Sequence, residues 1–407
     1  MKFEILKAKN GEDTVKVNNL LLYSKYRPVE DARRFIDKEF IQEAKGYLLV
    51  GLGLGYHLKA LQDLVEPHKE IIVLVLDQKE LNCYKGSEFE MELSHKKNIQ
   101  LFVNISDLAL NTDYQVIIPH VWLPIIGQDH PLYSFLMDIK MKQMSYKRFA
   151  PLMEENFKIN IQLDDFKLKT IKESLKDKKI AALVSSGPSL NETKNWLKKV
   201  NEDVFILSVG SALKPLLDAG ITPNAAIISD PQPLIMKQFS EIEFKGDLFY
   251  LCTADNNTVN NHKYNRCVLL QNGYSLAEKL ATELKYPTLD TGGSVATLAF
   301  SLLEYLEFKR LVLFGQDLGF SSNESHVIGS TSGRTVSDIE KLLTVECNAG
   351  KEINTTNTLY SYLKWFNSVV QDTRVEVYNT ALYGAKIEGT QLINEKQFCE
   401  LISKGNI

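Results

Sequence analysis

The chain has 407 residues, 44% of them hydrophobic and 24% charged, which is the profile of a globular protein with room for two or three domains and excludes a disordered or fibrous chain. Its formal net charge of −4, with lysines scattered along the whole length, leaves no basic face to track a phosphate backbone, so nucleic acid is not an expected partner.

In chain order, the first predicted strand covers residues 46–50. It runs into the glycine loop Gly51-Leu52-Gly53-Leu54-Gly55-Tyr56-His57, then a helix, a strand at 71–76, and Asp77. Glycines let a backbone approach a ligand, and an acid about 20 residues on can take ribose hydroxyls, so the segment fits a methyltransferase or dinucleotide fold. The same glycines also serve close packing of a helix on a sheet, and no later catalytic motif stands in this half. After residues 115–119 the pattern changes to long amphipathic runs between about 130 and 178, predicted as helices connecting two α/β units. Met137, Met141, Met144 and Met153 on these runs read as core or interface packing.

The second α/β unit is predicted from residue 179 to about 320, with strands at 180–185, 204–209, 225–229, 248–252, 267–270 and 311–314 alternating with helices. That alternation argues for a mainly parallel, doubly wound sheet, whose ligands lie at the carboxyl ends of its strands. The loops there are polar or glycine-containing. The first carries Ser186, Gly187, Pro188 and Ser189, in a strand–turn–helix setting whose backbone N–H groups suit a phosphate. Next come Gly210 and Ser211, then Ser229-Asp230-Pro231-Gln232, then Thr291-Gly292-Gly293-Ser294, and last Gly315-Gln316-Asp317-Leu318-Gly319. Singly each is an ordinary cap or turn; together on one rim they predict a nucleotide-sized site. The side chains there able to do chemistry are Asp230, Asp317 and, in a polar loop just beyond, His326, which has the pKa range of a general base.

The stripe Leu359, Tyr362, Leu363, Phe366, Val369 and Val370 predicts a helix that covers the sheet. No apolar run approaches the roughly 18–20 residues of a bilayer span, and the first seven residues lack the apolar core of a signal peptide, so a cytoplasmic protein is expected. Cys83, Cys252, Cys267, Cys347 and Cys399 are odd in number and lack metal-ligand spacing, and are read as reduced thiols with no metal site.

Gly187-Pro188-Ser189-Leu190, Ser229-Asp230-Pro231, Thr291-Gly292-Gly293-Ser294-Val295, Gly315-Gln316-Asp317-Leu318 and Gly384-Ala385-Lys386-Ile387-Glu388-Gly389-Thr390 resemble, in this order, the motility accessory factors, or Maf proteins, which are bacterial flagellin glycosyltransferases. The resemblance covers residues 179–390 and, more loosely, the loop at 51–57. It implies transfer of a nonulosonic acid, pseudaminic or legionaminic, from its CMP-activated form to serine or threonine hydroxyls of flagellin. The central region is also similar to bacterial sialyltransferases. On that likeness Gly187, Pro188 and Ser189 border the CMP phosphate and ribose, Thr291 to Ser294 hold the cytidine half or phosphate, and His326 follows the Gly-x-Asp motif as a catalytic histidine. Those enzymes have an asparagine where this chain has Ser186.

The expected fold is α/β, with two Rossmann-like α/β units joined by helices and a helical C-terminal region. The expected division is 1–128, a helical connector at 129–178, a nucleotide-sugar domain at 179–325 and a mostly helical 326–407. Expected catalytic residues are His326 and Asp317. Expected nucleotide contacts are Ser186, Gly187, Pro188, Ser189, Gly210, Ser211, Asp230, Gln232, Thr291, Gly292, Gly293, Ser294, Gly315 and Gln316. No cofactor or metal is expected: the CMP-sugar is the donor substrate, flagellin the acceptor, and no Asp-x-Asp pair of the Mg²⁺-holding kind is present. Whether the chain forms a homo-oligomer is left open. The central region also resembles the archaeal 6-hydroxymethylpterin diphosphokinases, in which Asp230 and Asp317 would hold Mg²⁺ for ATP, and a noncatalytic flagellin-binding factor is a third reading.

Overall fold

A computed structural model describes residues 1–42, 44–103, 114–127, 130, 132–200, 204–240, 242–320, 328, 330 and 342–404. The chain divides into two compact units, Met1–Ser145 and Tyr146–Ile407.

In the first unit an antiparallel sheet of β1 (Phe3–Lys7), β2 (Asp13–Val17) and β3 (Leu20–Leu21) precedes a parallel sheet. The parallel sheet holds β4 (Gly46–Val50), β5 (Glu70–Leu74), β6 (Ile99–Phe102) and β7 (Tyr114–Ile117) in the order β6-β5-β4-β7. Alternate residues of β4 enter separate cores. Leu48 and Val50 pack with Val15, Leu74 and Trp122, and Tyr47 and Leu49 with Leu58, Leu61 and Val73. A strand covered on both faces must be apolar throughout, which is why it reads as an unbroken hydrophobic run.

The helix Tyr133–Asn160 spans the division between the units. Met137 packs against the first unit's core and Met153 against the second's; the side chains of Met141 and Met144 lie outside the described residues.

The second unit is built on one nine-stranded sheet. In chain order its strands are β8 (Ile180–Val184), β9 (Val204–Val209), β10 (Ala225–Ile228), β11 (Asp247–Leu251), β12 (Arg266–Gln271), β13 (Thr288–Leu289) and β14 (Arg310–Phe314). After a separate antiparallel hairpin, β15 (Leu343–Glu346) with β16 (Glu352–Thr355), come β17 (Glu376–Asn379) and β18 (Gln391–Leu392). The spatial order is β13-β12-β11-β10-β9-β8-β14-β17-β18, and every pairing is parallel. Strands β8 to β13 are therefore laid down in one direction. The buried helix Val295–Tyr305 then crosses back over β10, β9 and β8 and delivers β14 to the opposite side of β8.

The C-terminal region carries the helix Asn357–Asp372, where the apolar stripe predicts one, and the helix Glu395–Lys404, and it also adds β17 and β18 to the sheet. Leu363, Phe366 and Val370 of the predicted stripe are buried against the second unit's core, with Leu359, Tyr362 and Val369 packed partly buried beside them. All five cysteines are free thiols.

Candidate functional site

Strand order reverses at β8, which has β9 on one side and β14 on the other, so the loops leaving β8 and β14 part in opposite directions. Such a junction is where open parallel sheets hold their ligands. Here the two loops are tied to each other. The Ser185 N–H donates to the Phe314 carbonyl and the Gly187 N–H to the Gly315 carbonyl, both at 2.8 Å, and the Ser185 hydroxyl donates to Gln316 Oε1 at 2.6 Å. The Ser189 N–H lies 3.2 Å from both oxygens of the Asp317 carboxylate, and its hydroxyl donates to Oδ2 at 2.8 Å. Burial pushes the Asp317 carboxyl up to about 6, against the lowering effect of the Ser189 bonds and with a further push from Glu192.

The close approach of these loops needs glycine. Gly315 has φ +62°, in the left-handed region, and a Cβ there would run into the Ser185 carbonyl. Gly315→Ala should cost about 2–4 kcal/mol from backbone strain and clash, read as a lowered denaturation midpoint. Leu318, next to Asp317 in the chain, is itself left-handed at φ +52°. Its carbonyl accepts from Thr355 Oγ1 at 2.7 Å, and the Asp317 carbonyl accepts from the Ala385 N–H at 2.6 Å. A strained non-glycine residue persists only where its surroundings over-determine it. The Gly384-Ala385 motif thus serves as a brace. A Cβ at Gly384 would meet the Asp317 backbone, so the segment lies directly on the loop it supports.

Next along the rim, the Ser211 hydroxyl donates to Ser186 Oγ at 2.8 Å, joining the loop after β8 to the first turn of the helix Gly210–Asp218, which follows β9 directly where the sequence suggested a loop. Gly210 lies against Gln238 and Ile228, on the β10 side. Asp230 is exposed and turns its carboxylate onto its own loop, where Oδ1 accepts from the Gln232 N–H at 2.8 Å. Thr291 to Ser294 form the start of the helix Val295–Tyr305: Ser294 and Thr297 make a capping box, and Gly292, at φ +49°, lies under Trp365 with Tyr362 beside Gly293. Ser186, Gly187, Ser189, Ser211, Gly315, Gln316 and Asp317 are thus drawn into one connected cluster, with Pro188 inside its turn. Asp230 and Gln232 form a second group and the Thr291 loop a third, bordered by aromatic side chains whose spacing in the sequence signals only sheet cover. His326 lies outside the described residues. Among the described residues no group of three or more His, Cys, Asp or Glu is placed to hold a metal ion.

The glycine loop of the first unit has an internal partner that its motif does not reveal. Glu80 is fully buried. Its Oε1 accepts from the Leu52 and Gly53 N–H groups at 2.6 and 2.7 Å, and its Oε2 from the Leu76 N–H at 2.8 Å. Burial pushes this carboxyl up to about 7 in spite of the three donors. Asp77 caps the helix Gln78–Lys85 by accepting from the Lys79 N–H at 2.8 Å and pairs with the Met1 ammonium at 2.5 Å. A carboxylate of the chain therefore occupies the donors that an anionic ligand would use. The available signal was Asp77-x-x-Glu80, an acid three residues after a helix cap.

Over its whole length the chain superposes on the Maf glycosyltransferase of Magnetospirillum magneticum AMB-1 with a TM-score of 0.52 at 15% identity, covering 73% of that protein. The chain has the Maf fold. Residues 153–323 match the family model described as 6-hydroxymethylpterin diphosphokinase MptE-like. That MptE-like stretch of the Maf fold begins in the last turns of the helix Tyr133–Asn160, contains β8 to β14, and ends just beyond Asp317, so the strand-order reversal belongs to it. An uncharacterized protein of Treponema pallidum (strain Nichols) is 38% identical over 85 residues, 18% of this chain and 29% of that protein's length. No helix among the described residues is long and apolar enough to cross a membrane.

Proposed function

We propose that the chain is a cytoplasmic glycosyltransferase that moves a nonulosonic acid, pseudaminic or legionaminic, from its CMP-activated form to serine or threonine hydroxyls of flagellin. The observation that carries this reading is the Asp317 carboxyl clasped by Ser189 at the strand-order reversal of a Maf-type fold. The Gly187 and Ser189 N–H groups, expected from the sequence to cradle a phosphate, are taken by the Gly315 carbonyl and the Asp317 carboxylate. The CMP phosphate therefore lies beside the Gly187 to Ser189 turn, against the Ser186 and Ser211 hydroxyls, and the Thr291 to Ser294 loop under Trp365 and Tyr362 receives the cytidine half. The acceptor hydroxyl attacks the anomeric carbon as the bond to the phosphate oxygen breaks, and His326 takes the hydroxyl proton. Asp317, with a carboxyl raised toward neutrality, is the second catalytic group and can give a proton on the departing phosphate side. CMP leaves an oxocarbenium-like centre readily, so the reaction is written without a metal.

The match to the MptE-like model favours one other reading, Mg²⁺-dependent diphosphoryl transfer from ATP, with Asp230 and Asp317 as metal ligands. Thermal unfolding with CMP and with ATP plus Mg²⁺ separates the two. A ligand at about 100 times its Kd stabilises by about 2.7 kcal/mol. Stabilisation by CMP without metal, followed by sugar transfer from a CMP-nonulosonic acid to flagellin, is the expected result. Stabilisation by ATP with Mg²⁺ alone would replace the glycosyltransferase with the kinase, and CMP binding without transfer would leave a noncatalytic flagellin-binding factor.

A further inference from the structure

The end of the helix Tyr133–Asn160 carries two fully buried asparagines one turn apart, Asn156 and Asn160. A buried amide is costly unless its donors and acceptor are paired. Asn156 pairs all of them: Nδ2 donates to the Pro231 carbonyl at 2.9 Å and the Thr253 carbonyl at 3.2 Å, and Oδ1 accepts from the Asn256 side chain at 2.7 Å and its N–H at 3.3 Å. Asn160 donates to the Cys252 and Ala254 carbonyls at 3.0 and 2.8 Å. Both residues therefore grip the loop after β11, but only Asn156 also reaches the loop after β10.

Pro231 stands between Asp230 and Gln232 and has no N–H of its own, so its carbonyl is the only main-chain hydrogen-bonding group through which that residue can be held. A second tie, from the Asp255 N–H to the Asp230 carbonyl at 3.0 Å, joins the same two loops. We propose that Asn156 is the positioning residue of the Asp230 loop, locking the loops after β10 and β11 into one register and so fixing where the Asp230 and Gln232 side chains stand for a nucleotide. This rests on the reading of the strand-end rim as a nucleotide site. Asparagine is the residue the position needs: aspartate has the same size but would set oxygens against two carbonyls.

Asn160 supplies the control, since it shares the helix, the burial and the type of contact without touching the Asp230 loop. Asn156→Ala, Asn160→Ala, Asp230→Ala and the Asn156→Ala/Asp230→Ala double variant are compared by melting temperature and by calorimetric titration with CMP and with ATP plus Mg²⁺. Both asparagine variants should melt lower, Asn160→Ala by less, because Asn160 makes two bonds to the four of Asn156 and its buried Oδ1 accepts none. Nucleotide affinity should fall about tenfold in Asn156→Ala and less than twofold in Asn160→Ala, and the double variant should bind no more weakly than Asp230→Ala alone. If Asn156→Ala does not fold, Asn156→Ser, whose hydroxyl can hold one carbonyl, carries the same comparison with an expected fall of about threefold. Equal affinity losses at Asn156 and Asn160, an unchanged affinity at Asn156, or additive losses in the double variant would overturn the proposal while leaving the nucleotide site standing. A wild-type protein that binds neither nucleotide would overturn both.

Discussion

Replacing Glu80 with alanine should destabilise the first unit by about 3 kcal/mol or more. The substitution leaves the N–H groups of Leu52, Gly53 and Leu76 without their acceptor, and each buried unsatisfied donor costs about 1–3 kcal/mol before any cavity is counted. Glu80→Gln is the informative partner. Its amide oxygen can still serve the glycine turn, but its NH₂ would face the Leu76 N–H, donor against donor, for a loss of about 1–3 kcal/mol. Denaturant melts of the two variants should rank alanine below glutamine below wild type. A Glu80→Ala protein as stable as wild type, or one stabilised by an added dinucleotide or S-adenosylmethionine when wild type is not, would show that the carboxylate is not the structural anion of that loop.

Asp317→Asn should have the opposite effect on stability. The carboxyl is raised from about 3.9 in an unfolded chain to about 6 in the folded one, so the folded state holds the proton more tightly. Its contribution to stability is therefore full below pH 4 and is lost as pH rises through 6, a difference on the order of 3 kcal/mol. Asparagine removes that dependence. Its oxygen accepts the Ser189 N–H, and the Ser189 hydroxyl turns to accept from the amide. The variant should match or exceed wild type in melting temperature at pH 8 and show a shallower loss of stability than wild type between pH 4 and 6, with the Glu80 contribution remaining. A phosphate bound beside the turn would repel the ionised carboxylate, so wild-type affinity for CMP should weaken above pH 6 and that of Asp317→Asn should not. Sugar transfer should nonetheless fall about 100-fold or more, because an amide cannot pass on a proton. Retained transfer would remove Asp317 from the catalytic pair.

Much of this was legible because a sheet covered on both faces advertises its strands. The run at 204–209 predicts β9 residue for residue, and the runs at 180–185 and 311–314 predict β8 and β14 to within one residue. Polar loops at successive strand ends announced the rim. What periodicity could not carry was adjacency. Nothing local says that β14 returns to pair with β8, so the bonds between Ser189 and Asp317 emerge only from the sheet order. Strands β17 and β18 escaped because four- and two-residue strands are too short for alternation to register. Glu80 and Asn156 escaped for another reason. Each is a single polar residue in a helix, indistinguishable in sequence from a solvated one until the loops it serves are folded around it.

The pairing of β8 with both β9 and β14 also orders events in time. The turn at Ser189 and the carboxylate at Asp317 come from positions 128 residues apart, and loops of that length close late relative to neighbouring strands. As the chain leaves the ribosome, β8 to β13 can assemble in sequence while the space beside β8 stands vacant. The junction is completed only when the chain has been made through Asp317 and β14 has slotted into place. No shorter, half-made chain can bring Ser189 and Asp317 together, so an intact junction certifies that synthesis has passed that point.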